Sequence, residues 1–279
     1  DFSFTLPGIS RFRVSAYRQR NSDAAVIRVI TFELPDPAAL GIPPYLLDLA
    51  GTRKGMVLVT GPAGSGKSTT LACMIDRINR TREGHIITLE DPIEFLHKHG
   101  QSIVSQREIS HDTKSYVVAL RASLRQSPNV ILLGEMRDYE TIQIAMTAAE
   151  TGHLIFSTLH TIGAANTIDR IIDVFPPNQQ RQIAVQLSMV LNAVVSQQLI
   201  PARDGRLVAA FEIMTVTPAI RNMIRDNKIP QIDGLVYSSS SEEMISMDSS
   251  LLKLYKNGTI SKDTALQYAS NPDMLERKL

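Results

Sequence analysis

Two hydrophobic patterns divide the chain, and the first of them covers the N-terminal 34 residues. Apolar and polar residues alternate there, as in Phe2, Phe4 and Leu6, with the two-residue period that is typical of half-buried β-strands. The pattern predicts strands at 2–6, 11–17 and 25–32, with turns at 7–8 and 21–23. Three short strands are too few for an independent core. We therefore expect residues 1–34 to be the last part of a larger N-terminal domain.

The second pattern begins near residue 53, after four prolines that mark a linker over 35–52. Strand-like apolar runs now alternate with helix-like stretches, which indicates an α/β fold with a parallel sheet. The predicted strands are 56–60, 85–89, 130–133 and 154–158, and the helices between them are 67–79, 113–126 and 139–151. Beyond these we predict a long amphipathic helix over 179–198, a hairpin at 204–205, a helical C-terminal region from about 217, and a polar loop at 238–241.

Composition is that of a globular protein, with 43% hydrophobic and 20% charged residues and a net charge of +1. A charge so close to zero gives no global electrostatic argument for nucleic acid or anionic lipid as a partner. The single cysteine, Cys73, excludes an intrachain disulfide and a cysteine-cluster zinc site. No apolar run approaches the length of a membrane span. We therefore expect a cytoplasmic protein without a membrane span.

A glycine-rich run directly after the first apolar strand of this second region fits G-x-x-x-x-G-K-[ST], the P-loop. Its residues are Gly61, Pro62, Ala63, Gly64, Ser65, Gly66, Lys67, Ser68 and Thr69. Backbone N–H groups of such a loop point at phosphate oxygens, and the dipole of the following helix adds to their field. Lys67 is then expected at the β- and γ-phosphates, with the Ser68 hydroxyl on Mg²⁺. The alternative is an incidental glycine-rich turn, although the strand before and the helix after are where the mechanism needs them.

Acidic residues follow two other predicted strands. Glu90, Asp91 and Glu94 come at the end of the strand 85–89, and Glu135 comes after 130–133. Ligands of parallel sheets bind beyond the carboxyl ends of the strands, so these carboxylates should share an edge with the P-loop. There they can hold Mg²⁺ through its waters, or orient and deprotonate the attacking water. The alternative is that they only cap helices.

Histidines and arginines are further candidates. His153 precedes the strand 154–158 and His160 follows it, and that strand separates its ends by about 20 Å, so both cannot ligate one metal ion. His160 is expected at the nucleotide edge, whereas a structural role is favoured for His153. Arginines that could stabilise transition-state charge are numerous. They are Arg11, Arg13, Arg28, Arg121, Arg125 and Arg137.

Four ordered motifs together resemble those of the secretion ATPases, the motors of type II secretion and type IV pili. The P-loop is followed by segments that resemble the family's Asp box (87–95), its Walker B motif (131–138) and its His box (147–161). Gly134 before Glu135, which is unusual in other P-loop proteins, is this family's usual form. The segment 219–226 resembles the retraction ATPases of type IV pili within the family.

The resemblance implies more than the residues alone indicate. It implies a PAS-like N-terminal domain joined by a flexible linker to a RecA-like ATPase domain (53–279), assembled as a homohexamer that uses ATP and Mg²⁺. It also implies that Glu135 and Glu94 are catalytic and that Arg13 and Arg28 approach the nucleotide. Both His153 and His160 match His-box histidines, which raises the expectation for His153. A partner at the inner face of the cell membrane, the pilus platform protein, is implied as well.

Three other functions stay open at this point. A pilus-assembly or type II secretion motor would use the same motifs. A RecA-like DNA translocase would share the fold and bind DNA in a salt-sensitive way. A nucleotide-gated scaffold would bind ATP without turnover. The leading hypothesis is a hexameric Mg²⁺-dependent ATPase that drives pilus retraction.

Overall fold

The computed structural model describes residues 2–6, 9–30, 33–239, 241 and 243–279. Three antiparallel strands come first and form a small sheet: β1 (Phe2–Leu6), β2 (Ser10–Gln19) and β3 (Ser22–Ile30). Arg20 and Asn21 join β2 to β3 with φ angles of 46° and 62°, as a two-residue hairpin turn of type I′ requires. The turn predicted at 7–8 and the predicted strand end at 31–32 lie outside the described residues.

An eight-stranded sheet organises the rest of the described chain. Its strands are β4 (Gly55–Thr60), β5 (Gly84–Glu90), β6 (Ser102–Glu108), β7 (Val130–Leu133), β8 (Leu154–Leu159), β9 (Leu191–Pro201), β10 (Leu207–Thr215) and β11 (Met244–Ile245). They lie in the order β11-β10-β9-β4-β8-β7-β5-β6. Pairing from β6 to β9 is parallel, and β10 and β11 continue the sheet antiparallel.

Helices cover both faces of this sheet. They are α1 (Pro44–Asp48), α2 (Lys67–Thr81), α3 (Tyr116–Ser123), α4 (Tyr139–Glu150), α5 (Ala164–Asp173), α6 (Pro177–Val190), α7 (Pro218–Arg225) and α8 (Pro230–Ser238). Successive side chains of a strand point to opposite faces. Met56 and Leu58 of β4 therefore pack in the core under α3 to α8, while Val57 and Val59 pack in the core under α1 and α2. The α/β fold class predicted from the alternating pattern is confirmed.

The predicted linker segment is packed against α2. Within residues 35–52, α1 is followed by a short 3₁₀ helix at Leu49–Gly51. Leu46 and Leu49 are buried in the same core as α2. The segment that connects the small sheet to the large sheet is therefore held against the core of the large sheet by buried side chains.

The helix predicted over 179–198 is wrong in its second half. The helix α6 ends at Val190, and residues 191–201 form β9. This strand lies between β4 and β10, and nearly all its residues are buried. A segment buried on both faces has no two-residue alternation, so its pattern resembles that of a buried helix.

Two smaller differences lie between β5 and β7. The helix predicted over 113–126 covers only Tyr116–Ser123, where Ser115 caps its N-terminus by accepting from Val118 N. The strand β6 was not predicted. It is an edge strand, and one of its apolar residues, Ile103, is 61% exposed. Because an apolar residue stands on the exposed face, apolar and polar residues do not alternate clearly along the strand.

Three more helices complete the C-terminal region: α9 (Met247–Lys256), α10 (Lys262–Tyr268) and α11 (Pro272–Glu276). They pack with Ile200 and Ala210 in a third core. The predicted hairpin is present, with Gly205 at φ 83° between β9 and β10, and Thr217 caps α7 as predicted. The predicted polar loop at 238–241 begins as α8 ends, and residue 240 lies outside the described residues. In the described part of the chain, every helix is too short or too polar to cross a bilayer.

Candidate active site

The carboxyl ends of four neighbouring parallel strands meet at one edge of the large sheet. The P-loop follows β4, His160 follows β8, Glu135 follows β7 and Glu90 ends β5. This edge is where ligands bind in parallel sheets, and a cavity of about 450 Å³ opens there. Its walls are formed by Ala63, Gly64, Lys67, Ser68, Glu90, Asp91, Pro92, Glu94, Tyr116, Gly134, Glu135, Arg137, Asp138, Thr158 and His160. The sequence prediction that the acids share an edge with the P-loop is confirmed.

The P-loop has the backbone geometry that its glycines allow. Gly61 has φ 138° and Gly66 has φ 87°, both in the region that side chains disfavour. A Cβ at Gly61 would overlap the carbonyl oxygen of Gln197 on β9, so this position also needs glycine for space. No side chain caps the start of α2, and its first N–H groups are left for an anion.

Lys67 is buried at the floor of the loop. Its Nζ donates to the carbonyl oxygens of Gly61 and Pro62, each at 2.9 Å. Burial lowers the pKa of this ammonium group, while the charges of Glu135 and Glu94 partly offset the effect. The lysine is therefore a buried positive charge that faces two carboxylates across the cavity.

Glu135 is held by two neighbouring side chains. One carboxylate oxygen accepts from Arg137 Nη2 at 2.6 Å, and the other lies 3.3 Å from His160 Nε2. Burial alone would raise the pKa of Glu135, but the hydrogen bond from Arg137 and the nearby His160 outweigh it, so the pKa lies below its ordinary value. Glu135 is thus an ionised, oriented carboxylate at neutral pH.

Tyr116 explains why glycine stands before Glu135. A Cβ at Gly134 would lie 2.8 Å from the Tyr116 hydroxyl oxygen. The turn is fixed from both sides, because Gly134 N donates to Leu89 O at 2.7 Å and Thr158 Oγ1 donates to Gly134 O at 2.6 Å. Glycine at this position therefore lets Tyr116 form part of the cavity wall.

Oxygen donors line the same cavity as Lys67. Glu90 accepts from Thr88 Oγ1 at 2.6 Å, and burial raises the pKa of Glu90 to about 7 against the hydrogen bonds that lower it. Ser68, Asp91 and Glu94 also line the cavity, and oxygen is the ligand type that Mg²⁺ prefers. Among the described residues, no three acidic, histidine or cysteine side chains converge as a metal cage. The donor set fits Mg²⁺ that arrives with a nucleotide and keeps much of its water.

His153 is not brought into this cavity. It precedes β8, at the opposite end of that strand from His160, as the strand length indicated. Its carbonyl accepts from Gly55 N at 3.0 Å, and its Nδ1 lies 2.9 Å from Ala148 O at the end of α4. His153 is therefore outside this cavity, and its contacts connect the end of α4 to β4 and β8. A catalytic role for His153 stays a prediction.

Arg13 and Arg28 lie on the small sheet, outside the cavity wall. They are directly opposite each other on β2 and β3, so they share one face. Ser3, which is opposite Arg13 on β1, donates to the Glu108 carboxylate at the end of β6. The face that carries both arginines is thus the face turned toward the large sheet.

Comparisons with known proteins agree with this architecture. Residues 2–226 match the family described as "Type II/IV secretion system protein". The chain belongs to this family. It is 49% identical to the "Twitching motility protein" of Neisseria gonorrhoeae, over 99% of this chain and 74% of that protein.

Two further similar proteins have names that refer to pilus retraction. The family member is 48% identical to the "Type IV pilus retractation ATPase PilT" of Pseudomonas aeruginosa, over 98% of this chain and 79% of that protein. It is similar to a crystal structure of "the Pilus Retraction Motor PilT and Bound ADP", with a TM-score of 0.94 and 50% identity over 99% of this chain and 79% of that one. The resemblance predicted from the four motifs is confirmed.

Several residues of this secretion-family site were not singled out as site residues from the sequence. Tyr116 and Thr158 line the cavity, and Gln197 binds the P-loop helix through a 2.7 Å hydrogen bond from Thr70 Oγ1. Tyr116 and Gln197 lie outside the four motifs, and Thr158 is an uncharged residue of the 147–161 segment. Arg137 was one of six candidate arginines, and its position two residues after Glu135 was the only signal that separated it from the rest.

Proposed function

We propose that this chain is an ATP-hydrolysing motor that powers the retraction of type IV pili. The observation that carries the proposal is the oriented, ionised Glu135 in the same cavity as the P-loop lysine. Near full-length similarity to proteins named as pilus retraction ATPases supports the kind of work performed.

Nucleotide binding is assigned to the P-loop, residues 61–69. The free N–H groups at the start of α2 bind phosphate oxygens, and Lys67 leaves the carbonyls of Gly61 and Pro62 for the β- and γ-phosphates. A compact ammonium charge placed there stabilises bound nucleotide and the charge of the transition state.

Hydrolysis is assigned to the carboxylates that share this cavity with the P-loop. Glu135 orients the attacking water and accepts its proton, because a carboxylate fixed by Arg137 and His160 can act without first reorganising. Glu94, which lines the same cavity, assists in placing that water. His160, at the carboxyl end of β8, stands where it can respond to the γ-phosphate through Glu135.

Mg²⁺ is proposed as the accompanying ion. When bound, it offsets negative charge between the β- and γ-phosphates. The Ser68 hydroxyl would hold it directly, and Glu90 and Asp91 would hold it through water. Chelation of Mg²⁺ with EDTA should therefore stop hydrolysis.

Mechanical work is assigned to motion of the small sheet. Arg13 and Arg28 on its inward face would reach the phosphates as this sheet closes over the nucleotide, in the manner of arginine fingers. We propose a homohexamer acting at the cytoplasmic face of the inner membrane, on a pilus platform protein there.

Steady-state ATP hydrolysis, with and without DNA, tests the enzymatic part. Lys67→Ala should abolish turnover and weaken nucleotide binding, which assigns any measured activity to this P-loop. Stimulation by DNA that disappears at raised salt would favour a translocase instead. Binding of ATP without turnover would favour a nucleotide-gated scaffold.

Deletion of the gene in the source organism tests the direction of work. Surplus pili that do not retract, restored by the wild-type chain and not by the Lys67→Ala variant, would support retraction. Cells without pili would instead favour an assembly motor and contradict the proposal.

A further inference from the structure

Glu108 is a buried carboxylate outside the cavity that the assignments above leave without a role. It ends β6, beside Glu90 at the end of β5, and its side chain is only 2% exposed. A charge buried to this extent is stable only when it is paired and hydrogen-bonded. Its partners come from three separate parts of the chain.

Two partners belong to the small sheet. Ser3 Oγ donates to Oε1 at 2.9 Å, and Arg11 Nη2 donates to Oε2 at 2.8 Å. Arg11 is itself largely buried, with 19% of its side chain exposed. Because alternate residues of a strand share a face, Arg11 lies on the same face as Arg13. The contact that docks the small sheet therefore also fixes where Arg13 points.

A third partner belongs to the loop of the cavity wall. The backbone N–H of Ile93 donates to Glu108 Oε2 at 3.2 Å. Ile93 is buried between Asp91 and Glu94, both of which line the cavity. One carboxylate oxygen thus accepts from Arg11 of the small sheet and from the acidic loop at once.

The remaining contacts hold Glu108 in place. His111 Nδ1 lies 3.1 Å from Oε1, and the Glu108 backbone N–H donates to Asp112 Oδ2 at 2.8 Å. Its own position is therefore fixed by the large-sheet side. When the small sheet moves away, the carboxylate stays and loses its only arginine partner among the described residues.

We propose that Glu108 is a positioning residue that couples docking of the small sheet to the placement of the 91–94 loop. With the sheet docked, Arg11 neutralises Glu108 and the Ile93 N–H bond holds the loop so that Glu94 faces the nucleotide. With the sheet lifted, the carboxylate loses Arg11 and Ser3, water takes their place, and the loop is released. Docking of the small sheet therefore positions Arg13 and Glu94 at the nucleotide at the same time. This inference rests on the proposed ATPase function for its catalytic consequence, and on the contacts alone for the coupling.

Hydrogen exchange of the Ile93 amide tests the coupling without any nucleotide. The variants are Arg11→Ala and a matched control, Arg18→Ala, an exposed arginine of the same strand whose ion pair with Asp23 is solvent-exposed. Loss of a buried charge partner should speed exchange at Ile93 by roughly 10-fold or more. The control should leave exchange as in the wild type, and Arg11→Lys should restore part of the protection.

Steady-state kinetics of the same variants test the catalytic consequence. Arg11→Ala should lower kcat by roughly 10-fold or more with KM changed by less than about 3-fold, as expected for lost positioning. In a double-mutant cycle, adding Arg11→Ala to Glu108→Gln should cost little more than either change alone.

The outcomes separate this inference from the proposed function. Unchanged exchange at Ile93 in Arg11→Ala, equal acceleration in the Arg18→Ala control, or additive effects in the cycle would each overturn the coupling. An inactive wild-type protein would refute the ATPase assignment, while the exchange result would still decide whether Glu108 couples sheet and loop.

Discussion

Glu135 illustrates how single residues set the chemistry of this site. Its carboxylate is partly buried, which alone would favour the neutral form, yet Arg137 and His160 keep its pKa below the ordinary value. An ionised carboxylate that is already oriented can accept a proton from water with little reorganisation. The two neighbours therefore matter as much as the carboxylate itself.

Glu135→Gln separates charge from shape at this position. The amide keeps the size and can still accept from Arg137, but it cannot take a proton from water. We expect hydrolysis to fall by roughly 10²-fold or more, while ATP affinity stays within a few-fold. Single-turnover rates and equilibrium nucleotide binding would check this. Weak binding together with a normal single-turnover rate would assign Glu135 to ground-state binding instead.

Another buried carboxylate, Glu212 on β10, is expected to contribute to the pH dependence of stability. Burial raises its pKa, although hydrogen bonds from Ala164 N and Met247 N lower it in part. Between the ordinary value of about 4.3 and the raised one, the folded state binds more protons than the unfolded state. The free energy of unfolding should therefore fall as the pH rises through that window.

Urea unfolding of Glu212→Gln across pH 4.5 to 8 would check this expectation. The neutral amide should remove the contribution of Glu212 to this pH dependence. Over the whole window that contribution is about 1.4 kcal/mol for each unit by which the pKa of Glu212 is raised. Glu83→Gln, at an exposed position, is the matched control and should leave the slope as it is. A wild-type slope in Glu212→Gln would contradict the assignment.

At the scale of elements, a segment could be predicted from the sequence when the residues that it contacts are close to it in the chain. The P-loop could be predicted because strand, loop and helix are contiguous. The strand β9 could not, because it is buried between β4 and β10, and its pattern carries no period of two. Glu108 was missed because Ser3 and Arg11 are 105 and 97 residues away, and no local pattern marks such a pair.

The small sheet is the element whose role is most open to test. Arg28 is exposed on β3, and it is opposite Arg13. If closure of the sheet brings these arginines to the phosphates, Arg28→Ala should lower kcat by roughly 10²-fold or more, with a smaller effect on ATP affinity. A solvated strand residue would instead change stability by less than about 0.5 kcal/mol and leave kcat unchanged.

Measurement of kcat, nucleotide affinity and the free energy of unfolding for Arg28→Ala and Arg18→Ala together would decide between these roles. Both arginines are exposed residues of the same small sheet, so the pair controls for loss of surface charge. Near-wild-type kcat in both variants would end the proposal that closure delivers Arg28 to the nucleotide.

At the scale of the whole molecule, the proposed motor requires that subunits act together. The cavity of about 450 Å³ that contains the P-loop lysine is formed by a single chain, but a stroke on a shared substrate needs coordinated closure around a ring. Coordination has a measurable signature, because one inactive subunit then slows its neighbours. Independent subunits would lose activity only in proportion to their number.

Rings that contain both wild-type and Lys67→Ala subunits would test this requirement. The contacts of the Lys67 ammonium group are within the P-loop, so we expect the Lys67→Ala subunit to enter rings without turning over ATP. If closure is coordinated, the total ATPase activity should fall more steeply than the fraction of wild-type subunits, to well under half of the wild-type activity at a 1:1 ratio. Rings mixed with Arg18→Ala subunits should keep full activity at every ratio. A strictly linear decline with the Lys67→Ala fraction would show that each cavity works alone, and it would remove coordinated closure as the source of force.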